Sequence, residues 1–220
     1  MTEPSHPIPT YKPRRRQLSP ARAALMARLE PVLCLDVSGP ALDLAAVFGR
    51  HAPVVLDIGI GHGESLTTAA EVDPETDVIG ADVHTPGIAS TLDRVDRLGL
   101  SNVRLVHGDA LRFVDRLADG SLTGIRIFFP DPWPKAKHRR RRLVSPSRLD
   151  EFARLLAPAG TVHVATDIVD YADASKGLLD EHPDFEGGIV ERPPWRPVTR
   201  YERKGLDAGR VVTDLIYRRR

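Results

Sequence analysis

The sequence predicts an α/β protein built on a doubly wound, mostly parallel sheet. Short Val/Ile/Leu runs recur at the spacing of β-α units, helical patterns separate them, and a glycine-rich turn directly follows the first strong run. Such a sheet is covered on both faces and binds its ligands beyond the C-terminal ends of the strands. The chain has 220 residues, 41% apolar and 28% charged, enough to bury one substantial core. No apolar run approaches the roughly 20 residues that span a membrane.

Residues 1–20 hold five prolines and the run Arg14-Arg15-Arg16, bury little, and read as a flexible basic arm ahead of a single domain over 21–220. Ser19-Pro20 before Ala21–Met26 is a helix start, because serine caps the first N–H groups and proline suits the first turn. Pro53 to Ile58 is a buried strand and Glu64 to Val72 a helix. Val78 to Ala81 is the next strand, Ile88 to Leu98 a helix, and Val103 to Val106 a third strand. Leu111 to Leu117 is a short helix, and Ile125 to Phe129 a fourth strand. A helix over Pro146 to Leu156, stopped by Pro158 and Gly160, leads to a strand over Val162 to Ala165 and a helix over Tyr171 to Leu179. Alternation of Val211, Val212, Leu215 and Ile216 predicts an antiparallel C-terminal edge strand or hairpin.

Net charge is only +1, but it is unevenly placed. Residues 1–28 carry six basic and one acidic side chain, residues 29–134 carry seven and 16, and residues 135–142 carry six and none. Residues 143–191 return to three against 10, and residues 192–220 to nine against three. Three basic patches on an acidic body suit a polyanion gripped at chosen places. The single cysteine, Cys34, excludes an internal disulfide, and the polar start lacks the apolar block of a secretory signal, so the expected compartment is the cytoplasm. Eight dispersed histidines and one cysteine give no metal-ligand spacing.

The strand Val54–Ile58 runs straight into Gly59-Ile60-Gly61-His62-Gly63. Glycines there permit a tight turn and let the backbone approach a ligand closely. The next strand ends at Asp82, whose carboxylate suits two ribose hydroxyls, and the third at Asp109, suited to an adenine amino group. A dinucleotide fingerprint wants glycine where Glu64 stands, and glutamate at a helix start opposes a pyrophosphate. The balance favours a nucleotide cofactor without phosphates. S-adenosylmethionine fits, its sulfonium being compatible with Asp57, while a nicotinamide dinucleotide and a purely structural turn stay open.

The fourth strand enters Phe128-Phe129-Pro130-Asp131-Pro132-Trp133-Pro134 and then Lys135-Ala136-Lys137-His138-Arg139-Arg140-Arg141-Arg142. The prolines hold Asp131 near the cofactor and present Trp133 on a rigid loop, either as a packing residue or to stack on a base. Lys137 and Arg139 to Arg142 suit RNA backbone phosphates, against the blander reading of a solvated loop. Asp167 ends the fifth strand beside Asp131 and either shares its pocket or caps a loop. Thr199-Arg200-Tyr201-Glu202-Arg203-Lys204-Gly205 mixes an acid with phosphate-capable side chains and is placed to close the site.

The set Asp57–Gly63, Pro130–Lys135, Thr166-Asp167 and Thr199–Glu202 resembles the bacterial tRNA (guanine-N7)-methyltransferases over about residues 50–217. The resemblance implies the doubly wound fold of S-adenosylmethionine-dependent methyltransferases, with methylation of guanine 46 in tRNA; the sequence itself implies no obligatory protein partner and no membrane. It places Asp57, Asp82, Asp109 and Asp131 at the cofactor, with Gly59, Gly61 and Gly63 in its turn, and gives Asp131 the catalytic role. Lys135, Asp167, Thr199, Arg200, Tyr201 and Glu202 would bind substrate, Asp167 or Glu202 accepting from guanine N1 or N2. The family commonly has glutamate where Asp57 and Asp82 stand and phenylalanine at Tyr201. The residues by themselves leave open a methyltransferase for another nucleic acid or small molecule, a noncatalytic RNA-binding protein, and a nicotinamide oxidoreductase.

Overall fold

A computed structural model describes Thr10, Tyr11 and residues 18–220. Helix α1 (Pro20–Leu33) starts as expected: Ser19 Oγ accepts from the Arg22 N–H at 3.4 Å and proline occupies the first turn. A five-residue helix, α2 (Leu44–Phe48), capped by Asp43, leads to β1 (Val54–Ile58). Then follow α3 (Glu64–Val72), β2 (Asp77–Asp82), α4 (Thr85–Leu98) and β3 (Val103–His107). The short helix expected after β3 divides into α5 (Ala110–Phe113) and a 3-10 turn, Val114–Arg116. The chain continues through β4 (Leu122–Phe128), α6 (Pro146–Leu155), β5 (Leu156–Thr166) and α7 (Val169–Glu181). It ends with β6 (Phe185–Val190), α8 (Arg200–Asp207) and β7 (Thr213–Arg219).

The seven strands form one sheet in the order β3-β2-β1-β4-β5-β7-β6. From β3 to β5 all pairings are parallel, and β7 is antiparallel to both β5 and β6. The antiparallel edge expected at the C-terminus is therefore two strands wide, with β7 inserted and β6 outermost. From β1 the chain winds outward to β2 and β3, then returns to β4 on the other side. The crevice between β1 and β4 is thus a topological switch point, where ligands of such sheets bind.

Two apolar clusters sandwich the sheet. Ile79 and Ala81 of β2 belong to one and Val78 to the other, as strand alternation requires. The first packs Phe113, Phe152, Tyr171 and Leu179 from α5, α6 and α7; the second packs Met26, Leu66 and Leu92 from α1, α3 and α4. Pro158 and Gly160 do not end α6, which stops at Leu155. They lie in an irregular start of β5, where Leu122 pairs with Leu156 but Gly124 with Thr161 and Ala159 adopts φ 65°. Strand pairing, not the breakers, ends that helix. Among the described residues no helix is long and apolar enough to cross a membrane, and no His/Cys/Asp/Glu group is placed to hold a metal ion.

Of the predicted arm, residues 1–9 and 12–17, including the run Arg14 to Arg16, lie outside the described residues.

Candidate active site

A cavity of about 1470 Å3 lies at the C-terminal ends of the parallel strands, lined by segments that follow β1, β2, β3 and β4. The glycine turn after β1 forms one wall. Gly61 and Gly63 have φ values of 57° and 76°, which side chains rarely adopt. A Cβ on Gly63 would meet Thr91 Oγ1 at 2.4 Å, whereas one on Gly59 or Gly61 would find no protein atom within 4 Å. Gly59 and Gly61 therefore present bare backbone to the cavity, the cradle a closely approaching ligand needs. Asp82 holds this turn: Oδ2 accepts from the Gly61 N–H and Oδ1 from the His84 N–H, both at 2.8 Å. Gly87 supports it from α4, since a Cβ there would lie 2.2 Å from the Gly61 carbonyl oxygen.

The wall is acidic. Asp57 is buried in β1, and burial pushes its carboxyl up to about 6, opposed by Arg126 and reinforced by Asp82. Burial also raises Asp82, against the pull of the backbone N–H groups it accepts. Asp109 caps α5 by accepting the Leu111 N–H at 2.9 Å and lines the cavity. Glu64 opens α3 and also faces the cavity, with Oε2 accepting the Arg200 N–H at 2.6 Å and Oε1 3.4 Å from Arg94. A negative side chain at the helix start, where a pyrophosphate would sit, disfavours a phosphate-bearing ligand there.

The loop after β4 brings Asp131 to the same cavity. Phe129 and Trp133, each preceding a proline, have φ values of 51° and 42°. Non-glycine residues in that region are strained and persist where the surroundings over-determine them. Here the Phe129 N–H donates to the Ala165 carbonyl at 2.7 Å, and buried Trp133 donates through Nε1 to the Thr10 carbonyl at 2.8 Å. The Trp133 ring stacks on His138 with centroids 5.8 Å apart, and Arg141 lies 4.1 Å from its centroid. Trp133 is thus the packing residue of its two readings. Thr10 and Tyr11, two of the described residues of the arm, line the cavity.

The basic run divides. Lys135, Lys137 and Arg140 are exposed, and Arg139 is exposed but 2.8 Å from Asp170. Arg142, expected on the RNA backbone, is instead buried: it donates to the Pro132 carbonyl at 3.0 Å and pairs with the Asp170 carboxylate. Its bonds to Pro132 of the loop and to Asp170 of α7 make it a fastener of that loop.

Helix α8 closes the site. Thr199 Oγ1 accepts the Glu202 N–H at 3.2 Å, fixing the helix start, and Thr199, Arg200, Tyr201 and Lys204 line the cavity. The Tyr201 ring lies 5.3 Å from that of Phe129. The structure thus brings together Asp57, Gly59, Gly61, Asp82, Asp109, Asp131, Thr199, Arg200 and Tyr201. It does not place Gly63, Lys135, Asp167 or Glu202 on the cavity wall. Gly63 acts behind the turn, Asp167 is buried 2.9 Å from Arg210, and Glu202 is buried against Arg196. Sequence reasoning missed Gly87, Glu64 as a link to α8, and Arg196. Gly87 falls just after a strand-end acid, which is a usable signal; the other two pairings leave none.

A family model described as "Putative methyltransferase" matches residues 51–215. The tRNA (guanine-N(7)-)-methyltransferase of Streptomyces coelicolor is 46% identical over 219 residues, 96% of this chain and 81% of that protein. The enzyme of the same name from a Nocardioides species is 49% identical over 185 residues, 84% of this chain and 75% of its own. Among solved structures, the 16S rRNA methyltransferase KamB superposes with a TM-score of 0.58 at 16% identity, covering 82% of this chain and 95% of its own. A "putative methyltransferase" from Streptococcus mutans in complex with SAH gives 0.51 at 10% identity, covering 93% and 100%. At those identities the structural likeness is one of fold.

Proposed function

The chain belongs to the bacterial tRNA (guanine-N7-)-methyltransferase family, and we propose that it transfers the methyl group of S-adenosyl-L-methionine to N7 of guanine 46 in tRNA. The observation that carries this reading is a single cavity bounded by the bare glycine turn, the strand-end acids, Asp131 and the start of α8. The residues present fit the donor. Gly59 and Gly61 leave room against the backbone, Asp82 and Asp109 suit ribose hydroxyls and an adenine amino group, and Asp57 offsets positive charge. When bound, the donor supplies a methyl group made electrophilic by its sulfonium.

Guanine N7 carries an in-plane lone pair and no proton, so the chain need not supply a general base. Its task is alignment, which in favourable cases lowers a barrier by about 7–11 kcal/mol. Asp131, on a loop held in a strained conformation, organises the reacting groups and offsets the positive charge that develops on the purine. Thr199, Arg200, Tyr201 and Lys135 hold the substrate. Of the two acids expected to accept from guanine N1 or N2, Glu202 is buried with both oxygens taken by Arg196, which leaves Asp167, beside Arg210, as the proposed acceptor. Exposed Lys137 and Arg140, with Arg139 and Arg141, hold the RNA backbone beside the site, and the proposed place of action is the cytoplasm.

The test incubates purified protein with methyl-labelled S-adenosylmethionine and unmodified tRNA and maps the label. Label is expected at N7 of guanine 46. Efficient transfer to a different atom, or none from folded protein, overturns the reading.

A further inference from the structure

We infer that Arg196 is a positioning residue for methyl transfer, fixing α8 against the sheet by bridging Glu202 of that helix to Asp214 of β7. The inference rests on the function proposed above and names a residue that acts through others. The Arg196 side chain is 1% exposed, and those of Glu202 and Asp214 are 2% each. Nη1 and Nη2 donate to the two Glu202 oxygens at 2.8 and 3.0 Å, while Nε and Nη2 donate to the two Asp214 oxygens at 2.8 Å each. One planar guanidinium therefore satisfies two carboxylates bidentately, which an ammonium group cannot do. Asp214 Oδ1 is also 2.7 Å from His163 Nε2, so β5 joins the same network.

The network fixes the orientation of the helix that presents Thr199, Arg200 and Tyr201 to the cavity. Residue 195 extends the tie. Trp195 lies 4.3 Å from the Arg126 guanidinium, and Arg126 is the β4 partner of Asp57 in β1. Two consecutive residues thus pack the segment before α8, Trp195 onto β4, which pairs with β1 and leads into the Asp131 loop, and Arg196 onto β7. Burying three full charges is a poor way to gain stability, since apolar residues of similar volume are often as good. Its advantage is a single geometry, and the geometry served is that of the cavity wall.

Arg196→Lys keeps the positive charge and loses the double fork. In full-length protein, circular dichroism and S-adenosylmethionine affinity by calorimetry are expected to stay within about twofold of wild type. With tRNA, kcat is expected to fall at least tenfold while KM changes less than threefold, because backbone contacts elsewhere keep the RNA bound. A wild-type kcat, or donor affinity falling in step with kcat, overturns the inference. Asp214→Asn keeps the shape of the network outside the cavity wall and guards against misfolding of the lysine variant. It is expected to lower kcat too, and the double variant to be no worse than the poorer single one. Fully additive losses count against a shared device. Amide exchange over 199–207 is expected to rise in both variants while β1 and β4 stay protected. Failure of the wild type to methylate tRNA would overturn the functional reading instead, and unchanged exchange would then overturn the positioning role.

Discussion

Asp57 combines the largest electrostatic cost at the site with a proposed role in binding. Its carboxyl is raised from 3.8 to about 6 by burial, so between those values the folded state holds a proton that the unfolded state has released. Stability from this group therefore falls as pH rises from 3.8 to about 6, and above that the buried charge costs about 3 kcal/mol. Asp57→Asn removes the cost. The ligand-free variant is expected to melt higher than wild type, by more at pH 8 than at pH 5, and to bind S-adenosylmethionine at least tenfold more weakly. Equal melting shifts at both pH values would refute burial as the cause; calorimetry checks the affinity. A protein that keeps such a group gives up stability for function. Asp131 is tested through turnover. Asp131→Asn is expected to slow methyl transfer about 100-fold, the size of effect seen when one charge-stabilising group is removed. A rate close to wild type in a labelled-methyl assay would end its proposed charge role.

The proposed cofactor side of the site is made by elements in contact, and Gly87 is where α4 touches the turn after β1. A Cβ there would sit 2.2 Å from the Gly61 carbonyl oxygen, which belongs to backbone and cannot swing aside like a side chain. Gly87→Ala is expected to weaken donor binding at least tenfold and to cost about 1–3 kcal/mol in a denaturant titration. Gly188→Ala, where a Cβ meets nothing within 4 Å, is the control and should leave donor affinity unchanged. Matching affinities for the two variants would remove Gly87 from the turn's support. The β-glycine-α order was legible because strand, breaker and helix signals are local: α3 spans Glu64–Val72, as its pattern predicts. The acids Asp82, Asp109 and Asp131 were legible because a strand end fixes where a side chain emerges. Helix α8 was not, since Leu206 is its sole aliphatic residue and its capping and burial come from Thr199 and Arg196. The His163–Asp214 contact joins residues 51 apart, a pairing that no local pattern encodes.

Across the molecule, charge is sorted by place. Acids line the cavity at Asp57, Asp82, Asp109 and Asp131, while Arg200 and Lys204 of α8 share its wall and Lys135 to Arg141 stand on the loop beyond Asp131. On the proposed function, this places acids beside a donor with a positive centre and the exposed cations of the loop beside an RNA backbone, though the net charge is only +1. The run after Asp131 is not uniform, which sharpens its test. Arg140 is exposed, Arg139 is shared with Asp170 at 2.8 Å, and Arg141 lies over Trp133. The slope of log affinity against log salt shrinks by about 0.7 to 0.9 for each phosphate left without a cation. Arg140→Ala is expected to remove close to one such increment in tRNA binding. Changing Arg139, Arg140 and Arg141 together to Ala should remove more than one but fewer than three, because Arg139 must leave Asp170 to reach a phosphate. Donor affinity should not move in either variant, since none of the three lines the cavity. Filter binding across a salt series measures both slopes. Slopes equal to wild type would place the RNA elsewhere, and a drop of three full increments would mean that the pairing with Asp170 gives way at no cost when RNA arrives.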